Sequence, residues 1–142
     1  VNPEFESNRD VISRWKTENK GAHKIMAMGE EGNIDKIRDF LIANYNEELH
    51  LYRSKPSYLE IAPRAISKLT AVEHLLENHF RIPLSQSMAF GDNYNDIEML
   101  KGVGMGIAVG NAKPEVLEIA HMVTTSGKED GVAKSITEIL KL

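Results

Sequence analysis

Apolar residues recur along the chain with two different periods, and the change between them marks out the elements. Val11, Ile12 and Trp15 stand at helical spacing within an otherwise polar opening stretch, residues 1–22, which predicts a short helix. Lys24-Ile25-Met26-Ala27-Met28 reads as a strand stopped at Gly29. Asn33 offers an N-cap, and Ile34, Ile37 and Leu41 mark one face of a helix reaching Tyr45. Leu49 and Leu51, then Leu59 and Ile61, alternate with polar neighbours on either side of Ser54-Lys55-Pro56-Ser57, the pattern of a hairpin over 49–61. The first lobe is therefore expected to run α-β-α-β-β.

Beyond Pro63 the period changes. Leu69, Val72, Leu76 and Phe80 predict a helix over 67–80, and Met88-Ala89-Phe90 a short buried strand ending at Gly91. A helix carrying Ile97 and Leu100 closes at Gly102, a residue suited to the left-handed position after a helix end. Met105, Ile107 and Val109 then alternate with Gly104, Gly106 and Ala108, so that strand has one bulky face and one nearly bare face open to another backbone. Pro114 stands at the first turn of a further helix, Met122-Val123 form a brief strand, and Val132, Ile136, Ile139 and Leu140 line one side of a last helix. Strands alternating with helices at this spacing predict βαβ units, a parallel sheet and an α/β fold. The boundary between the lobes is expected near residue 62, giving lobes 1–62 and 63–142.

Composition narrows the class. With 42% apolar and 27% charged residues the chain is globular. The absence of cysteine removes disulfide scaffolds, cysteine–zinc sites and thiol catalysis together. No apolar run approaches the roughly 20 residues of a membrane span, and no signal-peptide pattern opens the chain, so a cytoplasmic location without a membrane partner is expected. A net charge of −4 gives no electrostatic reason to expect nucleic acid as a partner. The first residue is Val1, as expected of a piece of something longer.

The densest polar cluster is Gly91-Asp92-Asn93-Tyr94-Asn95-Asp96, at the carboxyl end of a strand and the opening of a helix. In α/β sheets ligands bind at that edge. Asp92 and Asp96 are four apart, so the turn can aim both carboxylates at one point, and a small set of hard oxygen donors suits Mg²⁺. Asn95 can donate an amide hydrogen to a phosphate oxygen. A second reading stands beside this one: Asp92 and Asn93 simply cap the helix, with Asp96 favourable in its first turn. Either way both carboxylates are expected outside the core. Lys68 also leaves two readings. A cation in a first helical turn opposes the helix dipole, so it either faces a docked anion there or is a surface lysine that tolerates the mismatch.

Other candidates fall away. The five histidines show no metal-type pairing with acidic partners. The glycines at 102, 104, 106 and 110 do not match G-x-G-x-x-G, and neither a P-loop nor a G-x-S-x-G elbow occurs. Asp130-Gly131 reads as a helix cap, and the six methionines as core filler.

The run Ala89-Phe90-Gly91-Asp92-Asn93-Tyr94-Asn95-Asp96-Ile97-Glu98-Met99-Leu100 resembles a known family once it is joined to two later segments. These are Gly104-Met105-Gly106-Ile107-Ala108-Val109-Gly110-Asn111-Ala112 and Glu129-Asp130-Gly131-Val132-Ala133. Together they resemble the haloacid dehalogenase-like hydrolases, and within them the Cof-type phosphatases with a large α/β cap. The resemblance implies a Rossmann-like parallel-sheet core of which residues 63–142 are the C-terminal half, preceded by part of a cap. It implies Mg²⁺ at the carboxyl edge, with Asp92 as a ligand and Asp96 assisting directly or from behind. Asn95 would contact the phosphoryl group, and Lys68 would neutralise nucleophile and phosphate. An aspartate nucleophile would attack phosphorus and form an aspartyl-phosphate that water hydrolyses. The expected partner is a small phosphorylated metabolite.

Two departures matter. The family usually has glycine where this chain has Ala65 and Leu69, larger groups that narrow the approach to Lys68. The family's nucleophile comes from an N-terminal D-x-D motif, and no D-x-D occurs in these 142 residues. The chain alone is therefore expected to be inactive. A non-catalytic metal- or phosphate-binding or structural module is the alternative. A related G-D-x-x-N-D loop in ATP-driven pumps is disfavoured by the lack of membrane spans. Without a neighbouring strand, residues 87–91 would form an open sheet edge through which the chain could self-associate.

Overall fold

A computed structural model describes residues 8–142; residues 1–7 of the expected first lobe lie outside the described part. The chain is α/β, and its described residues form two open three-stranded sheets. Helix α1 (Asn8–Glu18) carries Val11, Ile12 and Trp15, which share a cavity lining with Ile25 and Met26 of strand β1 (Ile25–Met28). Helix α2 (Glu31–Tyr45) follows, then β2 (Leu49–Lys55) and β3 (Tyr58–Pro63). Strand β3 lies between β1 and β2, antiparallel to both, with Tyr52 opposite Glu60 and Met26 opposite Glu60 on the other side. Alternation along β3 sends Leu59 to the α2 side, where Leu59 and Ile34 are buried, and Glu60 to the opposite face.

The second sheet is parallel, in the order β4 (Met88–Gly91), β5 (Met105–Ala108), β6 (Met122–Val123), with Phe90 beside Ile107 and Ile107 beside Met122. Helix α3 (Lys68–Leu75) precedes it. Helices α4 (Ile97–Gly102) and α5 (Pro114–Ile119) form the crossovers, and α6 (Gly131–Leu140) closes the chain. Leu100, Ala108 and Val116 are fully buried and packed about by Ala89, Ile97, Leu117 and Ile119. Burying a Leu or Val of this kind stabilises by about 1.5–3 kcal/mol, and Ala108 sets this core at the carboxyl end of β5.

Four local expectations need correction. Helix α2 starts at Glu31, and the Glu30 carbonyl rather than Asn33 receives its first amides, those of Asn33 and Ile34 at 3.0 Å each. The helix expected over 67–80 is regular only to Leu75, and Leu76–Phe80 form a π-helical turn. The wider turn breaks the i, i+4 register of Leu76 and Phe80 and leaves Phe80 64% exposed. Gly102 is the last residue of α4, and no glycine among the described residues has a positive φ. Its role is steric: a Cβ there would meet Leu69 Cδ1 at 2.5 Å. Asp130 adopts the left-handed conformation (φ 58°) before α6 and makes no side-chain cap bond. The bare face of β5 is as expected. A Cβ on Gly106 would stand 2.0 Å from the Leu100 carbonyl oxygen, and one on Gly104, just before the strand, 2.0 Å from that of Ser85.

Candidate functional site

Strand β4 ends at Gly91, and the chain folds back so tightly that a Cβ on Gly91 would lie 2.5 Å from Asp96 Cβ. That closeness lets Asp96 serve the turn that precedes it. Its Oδ2 accepts the backbone N–H groups of Asp92 (2.9 Å) and Asn93 (3.0 Å), and its Oδ1 accepts a hydrogen bond from Lys68 Nζ. The Asn93 side chain accepts the Tyr94 N–H at 2.9 Å and opens a short 3₁₀ turn, Tyr94–Asp96, that runs into α4. The Asp92 carbonyl accepts the Lys113 N–H at 2.9 Å, tying the turn to the start of α5. The Asp92 carboxylate itself stays exposed.

Asp96 is thus not outside the core as the sequence led us to expect; it is 3% exposed. Burial alone would raise its carboxyl, but the Lys68 hydrogen bond, the two turn amides and the Lys68 charge together hold it below the usual carboxylate range. Lys68 is the first residue of α3. Ser67 caps that helix reciprocally with Thr70, accepting its N–H at 3.2 Å while Thr70 Oγ1 accepts the Ser67 N–H at 2.9 Å. The structure gives Lys68 a partner that neither reading named, the protein's own Asp96, which offsets the lysine's mismatch with the helix dipole. The lysine side chain remains 49% exposed and keeps donors for a ligand. Leu69, the bulky departure beside it, packs into the space above Gly102.

Lys68 and Asn95 line one cavity of about 360 Å³, with Tyr52, Glu60 and Ala62 of the antiparallel sheet facing them. Asn95 Oδ1 is itself buried, with no hydrogen-bond partner among the described residues. Tyr52 stacks on His50 (5.5 Å between rings), and burial first, then the charge of Glu98, raises its hydroxyl above the usual value against the opposing pull of Arg64. Asp92 lines a different cavity, of about 310 Å³, with Asn111 and Gly127. Asn111 Oδ1 accepts both Ser126 Oγ–H and the Gly127 N–H at 2.9 Å, fixing the loop opposite Asp92. Sequence reasoning assigned no role to Tyr52, Asn111 or Lys113. Asn111 at least lay inside a motif, whereas Tyr52 and Lys113 reach the site only through the fold. Among the described residues no group of three His, Cys, Asp or Glu side chains could hold a metal ion, and no helix is long and apolar enough to cross a membrane.

An α/β chain with a parallel sheet and a carboxylate–lysine turn at its carboxyl edge defines a class, and comparison with known proteins gives the family. A family model described as haloacid dehalogenase-like hydrolase matches residues 2–136, and the chain belongs to that family. It is 36% identical over 121 residues to 5-amino-6-(5-phospho-D-ribitylamino)uracil phosphatase YcsE of Bacillus subtilis, covering 84% of this chain and 48% of that protein. It is 37% identical over 94 residues to phosphatase YwpJ of the same organism, covering 66% of this chain and 33% of the relative. A crystal structure of a haloacid dehalogenase-like hydrolase from Bacteroides thetaiotaomicron superposes with a TM-score of 0.72 at 34% identity, covering 84% of this chain and 44% of that one. The chain spans about half the length of relatives such as YcsE.

Proposed function

We propose that this chain is the C-terminal part of a Mg²⁺-dependent phosphatase acting on small phosphorylated metabolites through an aspartyl-phosphate. The nucleophile would lie outside these residues, in a D-x-D segment. The observation that carries the reading is the Asp96 carboxylate, which clasps Lys68 and two turn amides beside the free Asp92 carboxylate. Phosphoryl transfer needs positioned positive charge more than elaborate proton chemistry, and this turn supplies it.

The donors present fit Mg²⁺, an ion that takes one or two carboxylates and fills its shell with water and substrate phosphate. Asp92 would be the ligand. Asp96, with both oxygens already engaged, would hold Asp92 and Lys68 in place from behind. When bound, the ion would neutralise phosphate charge and orient it. Lys68 would donate to a phosphoryl oxygen while keeping its bond to Asp96, and Asn95 would donate its amide to another. Residues 1–62 would form part of the cap over residues 63–142.

Steady-state hydrolysis of p-nitrophenyl phosphate with Mg²⁺ tests this on two proteins, the 142-residue chain and a longer one that includes a D-x-D segment. The short chain should show no turnover, and the longer one should turn over and lose activity on Asp92→Asn. Mg²⁺-dependent turnover by the short chain, abolished by Asp92→Asn, would place the nucleophile in this sequence and overturn the reading. A longer protein without turnover on any phosphomonoester would favour a non-catalytic module.

A further inference from the structure

A groove of about 330 Å³ opens where α2 and the β2–β3 turn meet Tyr94 and Lys113. Its lining holds four cationic side chains, Arg38, Arg53, Lys55 and Lys113, against two carboxylates, Glu31 and Asp35. In a chain of net charge −4 this is a local reversal of sign. Two of the cations are fixed in place. Arg53 donates to Asp35 Oδ1 at 2.6 Å and to the Lys55 carbonyl at 3.1 Å, and also to the Pro56 carbonyl. Arg38 donates to Asp39 at 2.9 Å and stands 3.6 Å from Asp35. The other two are open to a ligand. Lys55 Nζ rests 5.0 Å from the Tyr58 ring centroid, and Lys113 pairs with no carboxylate among the described residues.

The groove also touches the candidate site. Lys113 donates its backbone N–H to the Asp92 carbonyl, and Tyr94 follows Asp92 by two residues. The groove therefore adjoins the backbone of the turn that carries Asp92, while the Asp92 side chain lines the neighbouring cavity. Lysine ammonium groups not paired with a carboxylate are suited to phosphate or carboxylate, whose charge they meet as point cations.

We propose that this groove binds an anionic phosphate or carboxylate group, and that in the substrate it receives a second such group carried by the phosphomonoester held at Asp92. The second clause rests on the phosphatase reading; the affinity of the groove for anions does not. The selected substrates are then phosphomonoesters with a further negative charge.

Amide NMR titration of the chain with Mg²⁺ at about 0.15 M salt, where bulk screening acts beyond roughly 8 Å, separates these statements. The probes are butane-1,4-diol bisphosphate, butyl phosphate and inorganic phosphate. The bisphosphate should bind about tenfold more tightly than butyl phosphate, the gain of one charge-assisted contact, and should shift amides at both Asn93–Asn95 and Lys113. The double variant Lys55→Gln, Lys113→Gln should bring the two affinities together by weakening only the bisphosphate. Equal affinities in the unaltered chain, or a preference that survives in the double variant, would overturn the second-anion assignment, and no shift at the groove with any probe would overturn the anion site itself. Shifts confined to the groove with all three probes would keep the anion site, assign it to a free anion, and count against the phosphatase reading. If the chain alone gives no dispersed spectrum, the same comparison is made as the ratio of KM values in the longer protein, and a ratio near one there overturns the proposal equally.

Discussion

Replacing Asp96 by alanine should damage the fold as well as the chemistry, because this carboxylate closes a turn. Its removal leaves the Asp92 and Asn93 amides without their acceptor. An amide stranded in a partly buried place costs about 1–3 kcal/mol, and the lower end applies here because Asp92 borders solvent. The Lys68 bond adds little, about 0–1 kcal/mol, since that lysine is half exposed and screened. The sum is about 2–4 kcal/mol, a large part of the roughly 5–15 kcal/mol that holds an ordinary domain together. The melting temperature should fall by roughly 10 °C, followed by circular dichroism, and the Asp92 and Asn93 amides should exchange freely. Asp96→Asn keeps an acceptor oxygen and should lose about half as much. In metal-free buffer it should also flatten the acid limb. The folded carboxyl is held low, so its contribution is complete above about pH 4 and is lost as pH falls through the lower folded value. A loss below about 0.5 kcal/mol in Asp96→Ala, with both amides still slow, would refute the assignment of this residue as the clasp of the turn.

Lys68→Met should change stability by no more than about 1 kcal/mol yet abolish turnover in the longer protein, measured as kcat with Mg²⁺; wild-type turnover would show that the charge is not needed. Gly91→Ala should mimic Asp96→Ala in amide exchange at Asp92 and Asn93, because the new methyl occupies the space of Asp96 Cβ; unchanged exchange would mean the turn has slack. Strand β4 has a partner on one side only among the described strands, so the chain should self-associate at micromolar concentration through that edge or melt at low denaturant. A monodisperse, sharply melting monomer in sedimentation, with residues 87–91 protected from exchange, would contradict it.

The parts of this fold that could be read in the sequence are those where one side chain decides. Pro114 starts α5, and Ile97 and Leu100 define the inner face of α4, each by a local rule. The π turn at Leu76–Phe80 obeys no local rule, since leucine and phenylalanine at helical spacing ask for a regular helix. Gly102 ends α4 as a spacer for Leu69 and not as a left-handed residue beyond the helix; Leu69 is 33 residues away in sequence, so the need for glycine is visible only once α3 lies on α4. At the site, Asp92, Asp96, Asn95 and Lys68 stood out as residue types in a turn, but their division of labour did not. That Asp96 is the buried clasp and Asp92 the free carboxylate depends on which one points back under Gly91. Tyr52 and Lys113 were invisible for a related reason, since each reaches its cavity by strand register or by a loop crossing.

Gly106 of β5 and Gly104 just before that strand carry a consequence for how such a chain can diverge. At Gly104 and Gly106 the obstacle to a side chain is a peptide carbonyl, not another side chain. A crowded core can answer an enlarged residue by shrinking a neighbour, and so drift through compensated pairs. A carbonyl has no smaller version. Adding a single methyl at either position would have to push α4 or the Ser85 segment off the sheet, and no second substitution nearby can restore the space. In a saturation library selected for folding, these two positions should accept nothing but glycine, while Leu100, fully buried a few residues before them, exchanges with other apolar residues of similar volume.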